Sequence, residues 1–294
     1  MKRILSLFAA FAVMLSLSAC QAEDTGQNIQ TSEAAQNTVT ASENVEVVSE
    51  SLIEQLTETN DITSEIISAE SNESKIENNT LTLGVDIYPI ESEEIVLSIN
   101  SAENKYTYID LSNLTQYTKL KKLEILNMND VYNPIRLINY DTLLESSSLE
   151  EITVYMISFD YNVLSQVKSL KILNINWYTT DDWSFLKELN QVQELNLYRC
   201  NIKDVGFINE MTSLSHLALQ NTPIQNFEDI ETNTLLKEMQ LIENELTTLS
   251  GIDKFENLEY LYISECYIDE MEQELYTLKN KLPACDIEAN YEKQ

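Results

Sequence analysis

Glycine is scarce: four in 294 residues leave no material for a glycine-rich loop that would cradle a nucleotide's phosphates. Histidine is scarcer, with His216 alone, and the four dispersed cysteines form no cluster at metal-ligand spacing, so no cofactor is expected. Basic residues are few as well. Eighteen Lys and Arg stand against 49 Asp and Glu, a net charge of −31, which repels nucleic-acid phosphates and argues against nucleic acid as a partner. The N-terminal apolar run, Ile4 to Leu17, is too short to span a bilayer comfortably.

That run has the shape of an export signal, preceded by Lys2 and Arg3. It ends Leu17-Ser18-Ala19-Cys20, which resembles the lipobox of bacterial lipoproteins. The resemblance implies a lipoprotein signal peptide over 1–19, cleavage before Cys20 and a lipid such as palmitate on the mature N-terminus. The chain would then sit on the extracytoplasmic side of the bacterial cell membrane, held to it through the lipid anchor. Residues 21–80 carry 13 acidic residues and one basic residue, Lys75, among Gln, Asn, Thr, Ser and Ala. Too little apolar surface is available there to offset the entropy of ordering, so 20–80 is expected to be a lipidated N-terminus and disordered acidic linker.

Beyond the linker the sequence becomes periodic. Leu81, Leu83 and Val85 alternate, as do Ile95, Leu97 and Ile99, which predicts strands in an N-terminal cap over 81–110. From Leu111 onward apolar residues recur at steps of three, three, three, three and two, as in Val205, Ile208, Met211, Leu214, Leu217 and Leu219. Seven units follow, with strand pairs starting at Leu123, Ile152, Leu173, Leu195, Leu217, Met239 and Leu261. A repeat of this length marks a solenoid, since one unit cannot bury its apolar face without its neighbours. The stretch Val192-Gln193-Glu194-Leu195-Asn196-Leu197-Tyr198-Arg199-Cys200-Asn201-Ile202 resembles the leucine-rich repeat pattern, and the 22-residue length is similar to that of internalin-type bacterial surface proteins.

The resemblance implies an α/β repeat solenoid over 111–294, with a parallel concave sheet and turns or 3₁₀ segments on the convex side. Ser146 and Asn233 depart from the apolar template, and an insertion lies around Asn133-Pro134. Near the end, Asp269 with Glu272 reads as a helix cap, and Met271, Leu275, Leu278 and Leu282 fall on one face of a short C-terminal capping helix that would close the stack.

Alternation within each strand decides which residues face outward. Tyr155, Trp177, Tyr198, Tyr260 and Tyr262 are expected there, with Arg199 beside Tyr198, and these residue types dominate interface energetics. His216 takes the register position of Glu194 and Glu238, between two carboxylates, an arrangement that favours its protonated form. Cys200 and Cys266 occupy the inward Asn/Cys position and are expected to be buried, whereas Cys285 is unassigned. The chain therefore reads as a non-enzymatic, lipid-anchored cell-surface protein binding a protein or peptide ligand, glycosylated or not, on its concave face. Two alternatives remain open on sequence alone: a carboxylate-dependent cell-wall hydrolase, since acid pairs abound, and a purely structural surface protein.

Overall fold

The structure, a computed structural model, describes residues 75–77, 80–83, 86–99, 108–128 and 135–291. The signal peptide, Cys20, almost all of the linker, Val85 and the insertion around Asn133-Pro134 lie outside the described residues.

Three short strands come first: β1 (Lys75–Glu77), β2 (Thr80–Leu83) and β3 (Asp86–Pro89), joined antiparallel. Then β4 (Glu94–Ile99) begins a nine-stranded sheet completed by β6 (Lys122–Asn127), β8 (Glu151–Tyr155), β10 (Ile172–Asn176), β11 (Glu194–Tyr198), β12 (His216–Gln220), β13 (Glu238–Ile242), β14 (Tyr260–Ser264) and β15 (Asp286–Asn290). Every pairing in this sheet is parallel. A second three-stranded parallel sheet is formed by β5 (Tyr108–Asp110), β7 (Ile135–Ile138) and β9 (Ile157–Ser158) on the return path of the first units.

The register is the one the apolar period predicts. Leu123 faces Ile152, Ile152 faces Leu173, and the series continues through Leu195, Leu217, Met239 and Leu261. All seven predicted pairs are buried, as are the return-path residues Val205, Ile208, Met211 and Leu214 of one unit and Leu249, Ile252, Phe255 and Leu258 of another. The sheet also extends beyond them. Ile95 pairs with Leu123, so the stretch expected as a cap supplies the first strand, and Tyr88 ties β3 to it by donating to the Val96 carbonyl. At the other end Ile287 pairs with Leu261.

Each strand is bracketed by two recurring devices. At its start one carbonyl accepts two amides of the next unit: Lys121 from Glu150 and Glu151, Lys171 from Gln193 and Glu194, Lys237 from Glu259 and Tyr260. At its end one residue adopts a left-handed conformation. Met156, Trp177, Arg199, Asn221, Glu243 and Glu265 have φ between 52° and 56°. Each amide in this row donates to a carbonyl at the end of the following strand, as Trp177 does to Tyr198 at 2.8 Å. Such a conformation costs about 1–2 kcal/mol for a non-glycine residue, so the recurring hydrogen bond and the burial of the turn beneath must offset it.

Most return paths carry a short 3₁₀ turn, at Leu114–Gln116, Tyr140–Glu145, Tyr161–Gln166, Ser184–Glu188, Gly206–Asn209 and Ile252–Lys254, whereas the path between β12 and β13 turns without one. Asn233, which breaks the apolar template, accepts from the Leu235 and Leu236 amides and bridges to Phe255, so its side chain shapes the turn it occupies. Ser146 Oγ has no partner among the described residues.

Helix α1 (Met271–Lys281) buries Met271, Leu275 and Leu278 as the heptad-like spacing requires. Two expectations about it need correction. Its N-cap is Glu270, left-handed at φ 55° and making no side-chain cap, whereas Glu274 reaches back to accept from Leu249 N and Thr248 Oγ1. Nor does α1 close the sheet, because the chain turns at Leu282–Cys285 and adds β15 as the last strand.

One of the four glycines is fixed by sterics. Gly251 has φ +89°, and a Cβ there would lie 2.0 Å from the Phe227 carbonyl oxygen of the preceding unit. Gly251→Ala is therefore expected to cost at least ~2 kcal/mol, read as a lowered urea midpoint; a midpoint equal to wild type would show that the turn relaxes freely.

Candidate functional site

Three rows of side chains line the outer face of the nine-stranded sheet, one from each outward position of the strands. The first row contains Lys122, Glu151, Glu194, His216, Glu238 and Tyr260; the second contains Glu124, Thr153, Asn174, Asn196, Gln240 and Tyr262. Tyr155 and Tyr198 belong to the third.

Trp177 is not where strand alternation put it. Asn176, largely buried, holds the slot between Tyr155 and Tyr198, and Trp177 lies one residue further on, in the left-handed row with Arg199. The turn redirects its indole rather than removing it from the patch. Its ring centroid is 6.4 Å from that of Tyr155, tilted by 48°. The Arg199 guanidinium carbon lies 4.5 Å over the Trp177 ring and 5.4 Å from the Tyr198 ring. Tyr155, Trp177, Arg199 and Tyr198 thus form one continuous platform, in which burial pushes the Tyr155 phenol above its ordinary range. Stacking of this kind contributes ~0.5–1 kcal/mol at exposed sites.

The other predicted site residues lie elsewhere on the face. His216 does sit between Glu194 and Glu238; its Nε2 is 3.5 Å from Glu238 Oε1, and its Nδ1 is 2.8 Å from Ser215 Oγ. Tyr260 and Tyr262 occupy one strand at the far end. The Tyr260 hydroxyl donates to Glu288 at 3.1 Å, and burial together with that carboxylate pushes its pKa up to about 12. Tyr262 accepts from Asn290 at 3.1 Å.

A charged cluster that sequence reading did not single out occupies the N-terminal end. Lys122 Nζ lies 2.7 Å from Glu124, 3.4 Å from Glu94 and 3.6 Å from Glu151. Burial pulls Lys122 down, but Glu124, Glu151 and Glu94 outweigh it and hold the ammonium above its usual range. Burial raises Glu151 against the pull of Lys122. Next to it runs a hydrogen-bonded ladder in which Asn174 donates to Thr153 at 2.8 Å and Asn196 to Asn174 at 2.6 Å.

Also absent from the sequence reading is an aromatic stack along the turns beyond the strand ends. Phe159 and Tyr161 have centroids 4.3 Å apart, Tyr161 and Tyr178 4.4 Å, and Tyr161 and Phe185 5.1 Å; Tyr140 and Trp183 extend the stack at either side. Tyr140, Tyr161 and Trp183 share one template position, the first apolar residue of their units, where Val205 stands in the next unit, and Phe159, Tyr178 and Phe185 join them from other positions.

Parallel strands in unbroken register, a 3₁₀ turn or short helix on most return paths and a recurring left-handed residue define the architecture. The fold is a leucine-rich repeat solenoid. No family model matches the sequence, and no curated protein matches it. Solved structures similar to the solenoid include internalin C2 of Listeria monocytogenes, 14% identical over 62% of this chain and 80% of that one, with a TM-score of 0.49. Internalin F of the same organism is 17% identical over 70% and 71%, with a TM-score of 0.43. A leucine-rich repeat protein of Leptospira interrogans is 21% identical over 60% of this chain and half of its own length, with a TM-score of 0.45.

The solenoid's interior accounts for its cysteines. Cys200 and Cys266 are buried and unpaired among the described residues, each thiol within reach of one carbonyl of its own strand and one of the preceding unit's strand, and burial pushes Cys200 up to about 12 and raises Cys266. Cys285 is unpaired and half-buried, its thiol pushed up to about 11. Reaction with a thiol reagent at pH 8 should therefore be slow for Cys200 and Cys266 in the native protein, faster for Cys285, and rapid for all three after denaturation. Fast native labelling of Cys200 would contradict the inward register.

Proposed function

We propose that this chain is a lipid-anchored, extracytoplasmic binding protein that recognises a protein or peptide through the concave face of its solenoid. One observation carries the reading: Tyr155, Trp177, Arg199 and Tyr198 form a continuous partly exposed platform at the ends of three consecutive strands. Aromatic and arginine side chains supply most interface hot spots, and here they are held by a rigid sheet so that little ordering entropy opposes contact. His216, Tyr260 and Tyr262 lie on the same face and would extend the contact toward the C-terminal end.

Lipid anchoring rests on the Leu17-Ser18-Ala19-Cys20 pattern. Among the described residues no helix is long and apolar enough to cross a membrane, so attachment would depend on the lipid and on residues that precede the solenoid. Cys20→Ala should release the protein from membranes or block its processing. Wild-type protein found wholly in the culture supernatant, without lipid on residue 20, would remove this part of the proposal.

For the platform, Trp177→Ala should weaken binding to a partner captured by the full chain by ~2 kcal/mol or more while leaving the thermal unfolding midpoint near that of wild type. Substituting the exposed Lys203 by Ala should change little. Unaltered affinity in Trp177→Ala, or a collapse of its fold, would make the platform a packing feature instead.

A further inference from the structure

Arg199 is the unusual member of the platform. The protein carries 49 acidic residues, yet none of the ion pairs among the described residues includes Arg199. Along the same left-handed row the nearest acid is Glu243, two units on, and it accepts from Asn221 at 2.9 Å. The guanidinium is exposed and lies against the Trp177 and Tyr198 rings.

Stacking uses the face of a guanidinium and leaves its N–H groups in the plane, where they form a fork matched to a carboxylate. The ring contacts orient that fork before any partner arrives. A polyanion is a poor match, because a net charge of −31 would repel it and one arginine would not compensate. A single carboxylate carried by an otherwise basic segment fits better. Glu194 begins the strand that leads into Arg199, and Glu151 and Glu238 lie two strands away on either side in the same row, so the face beside the platform is acidic and would meet Lys or Arg side chains flanking that carboxylate.

We propose that Arg199, held on Trp177 and Tyr198, is the anchor for an Asp or Glu side chain in a lysine- or arginine-rich polypeptide segment, which makes the partner locally acidic at one residue and basic overall. This rests on the concave-face reading above and specifies the chemistry of its ligand.

The test uses the full chain, fluorescently labelled, on an array of short immobilised peptides with one central Glu, an adjoining Leu or Tyr, and Lys on both sides. Matched sets replace Glu by Gln, or every Lys by Glu, and polygalacturonate is spotted as an acidic glycan. Wild type is expected to be retained about tenfold more on the Glu set than on the Gln set, the scale of a charge-assisted hydrogen-bonded pair, and not on the set lacking Lys. Arg199→Gln should equalise the Glu and Gln sets. Arg199→Lys should fall between, since an ammonium keeps the charge without the fork; both variants should keep the wild-type circular dichroism spectrum. If wild type retains the Glu and Gln sets equally and Trp177→Ala loses both, the carboxylate anchor is wrong and the concave-face reading stands. Retention indifferent to both Arg199→Gln and Trp177→Ala overturns the two together, and stronger retention on polygalacturonate overturns the peptide ligand in favour of an acidic glycan.

Discussion

A strand paired in parallel on both sides shows alternate side chains to two faces, and a slip of one residue would exchange those faces completely. Preventing that slip is what the rest of this structure depends on. The shared carbonyls at Lys121, Lys171 and Lys237 fix where each strand starts, and the left-handed row from Met156 to Glu265 fixes where it stops. Between them the inward pair of every unit stacks on the next, and no unit buries its apolar residues without neighbours. Inside the turn, Asn244 continues the same logic: its amide donates to the Leu219 carbonyl while its oxygen accepts from the Thr222 amide and hydroxyl, so a buried polar side chain joins two units.

Electrostatics is secondary to this scaffold. Exposed pairs such as Lys171 with Glu150 and Lys237 with Glu259 follow the repeat and link adjacent units, but pairs of that kind contribute little in water. The Lys122 cluster is more enclosed and helps keep the carboxylates at the first strands of the face from repelling one another. In this strongly acidic setting a cation resting on rings instead of on a carboxylate is conspicuous, and Arg199 is that cation.

Much of the solenoid was legible because a repeat imposes the same burial demand every 22 residues or so. Leu123 to Leu261 could be aligned by eye, and Cys200 and Cys266 could be placed inward, since their positions follow from the period alone. Reading failed where the period pauses. Trp177 was assigned by alternation, but alternation ends at Asn176 and a left-handed turn resets the direction of the next side chain. Asp269 looked like a cap because an acid three residues before another is a common helix start, yet the chain enters α1 through Glu270. β15 was hidden behind that helix, its single strong apolar residue, Ile287, giving no pattern to count.

Sequence by itself determined the architecture of this protein, its inward residues and the register that sets His216 between Glu194 and Glu238, because each of these depends on spacing along the chain. Tertiary structure decided the rest. The Tyr155–Trp177–Arg199–Tyr198 platform and the final strand arise from groups brought together across units by turns whose φ values no apolar pattern encodes. Backbone direction after a strand is set by which conformation satisfies the next unit's hydrogen bonds, and that is a property of the stack rather than of any one repeat.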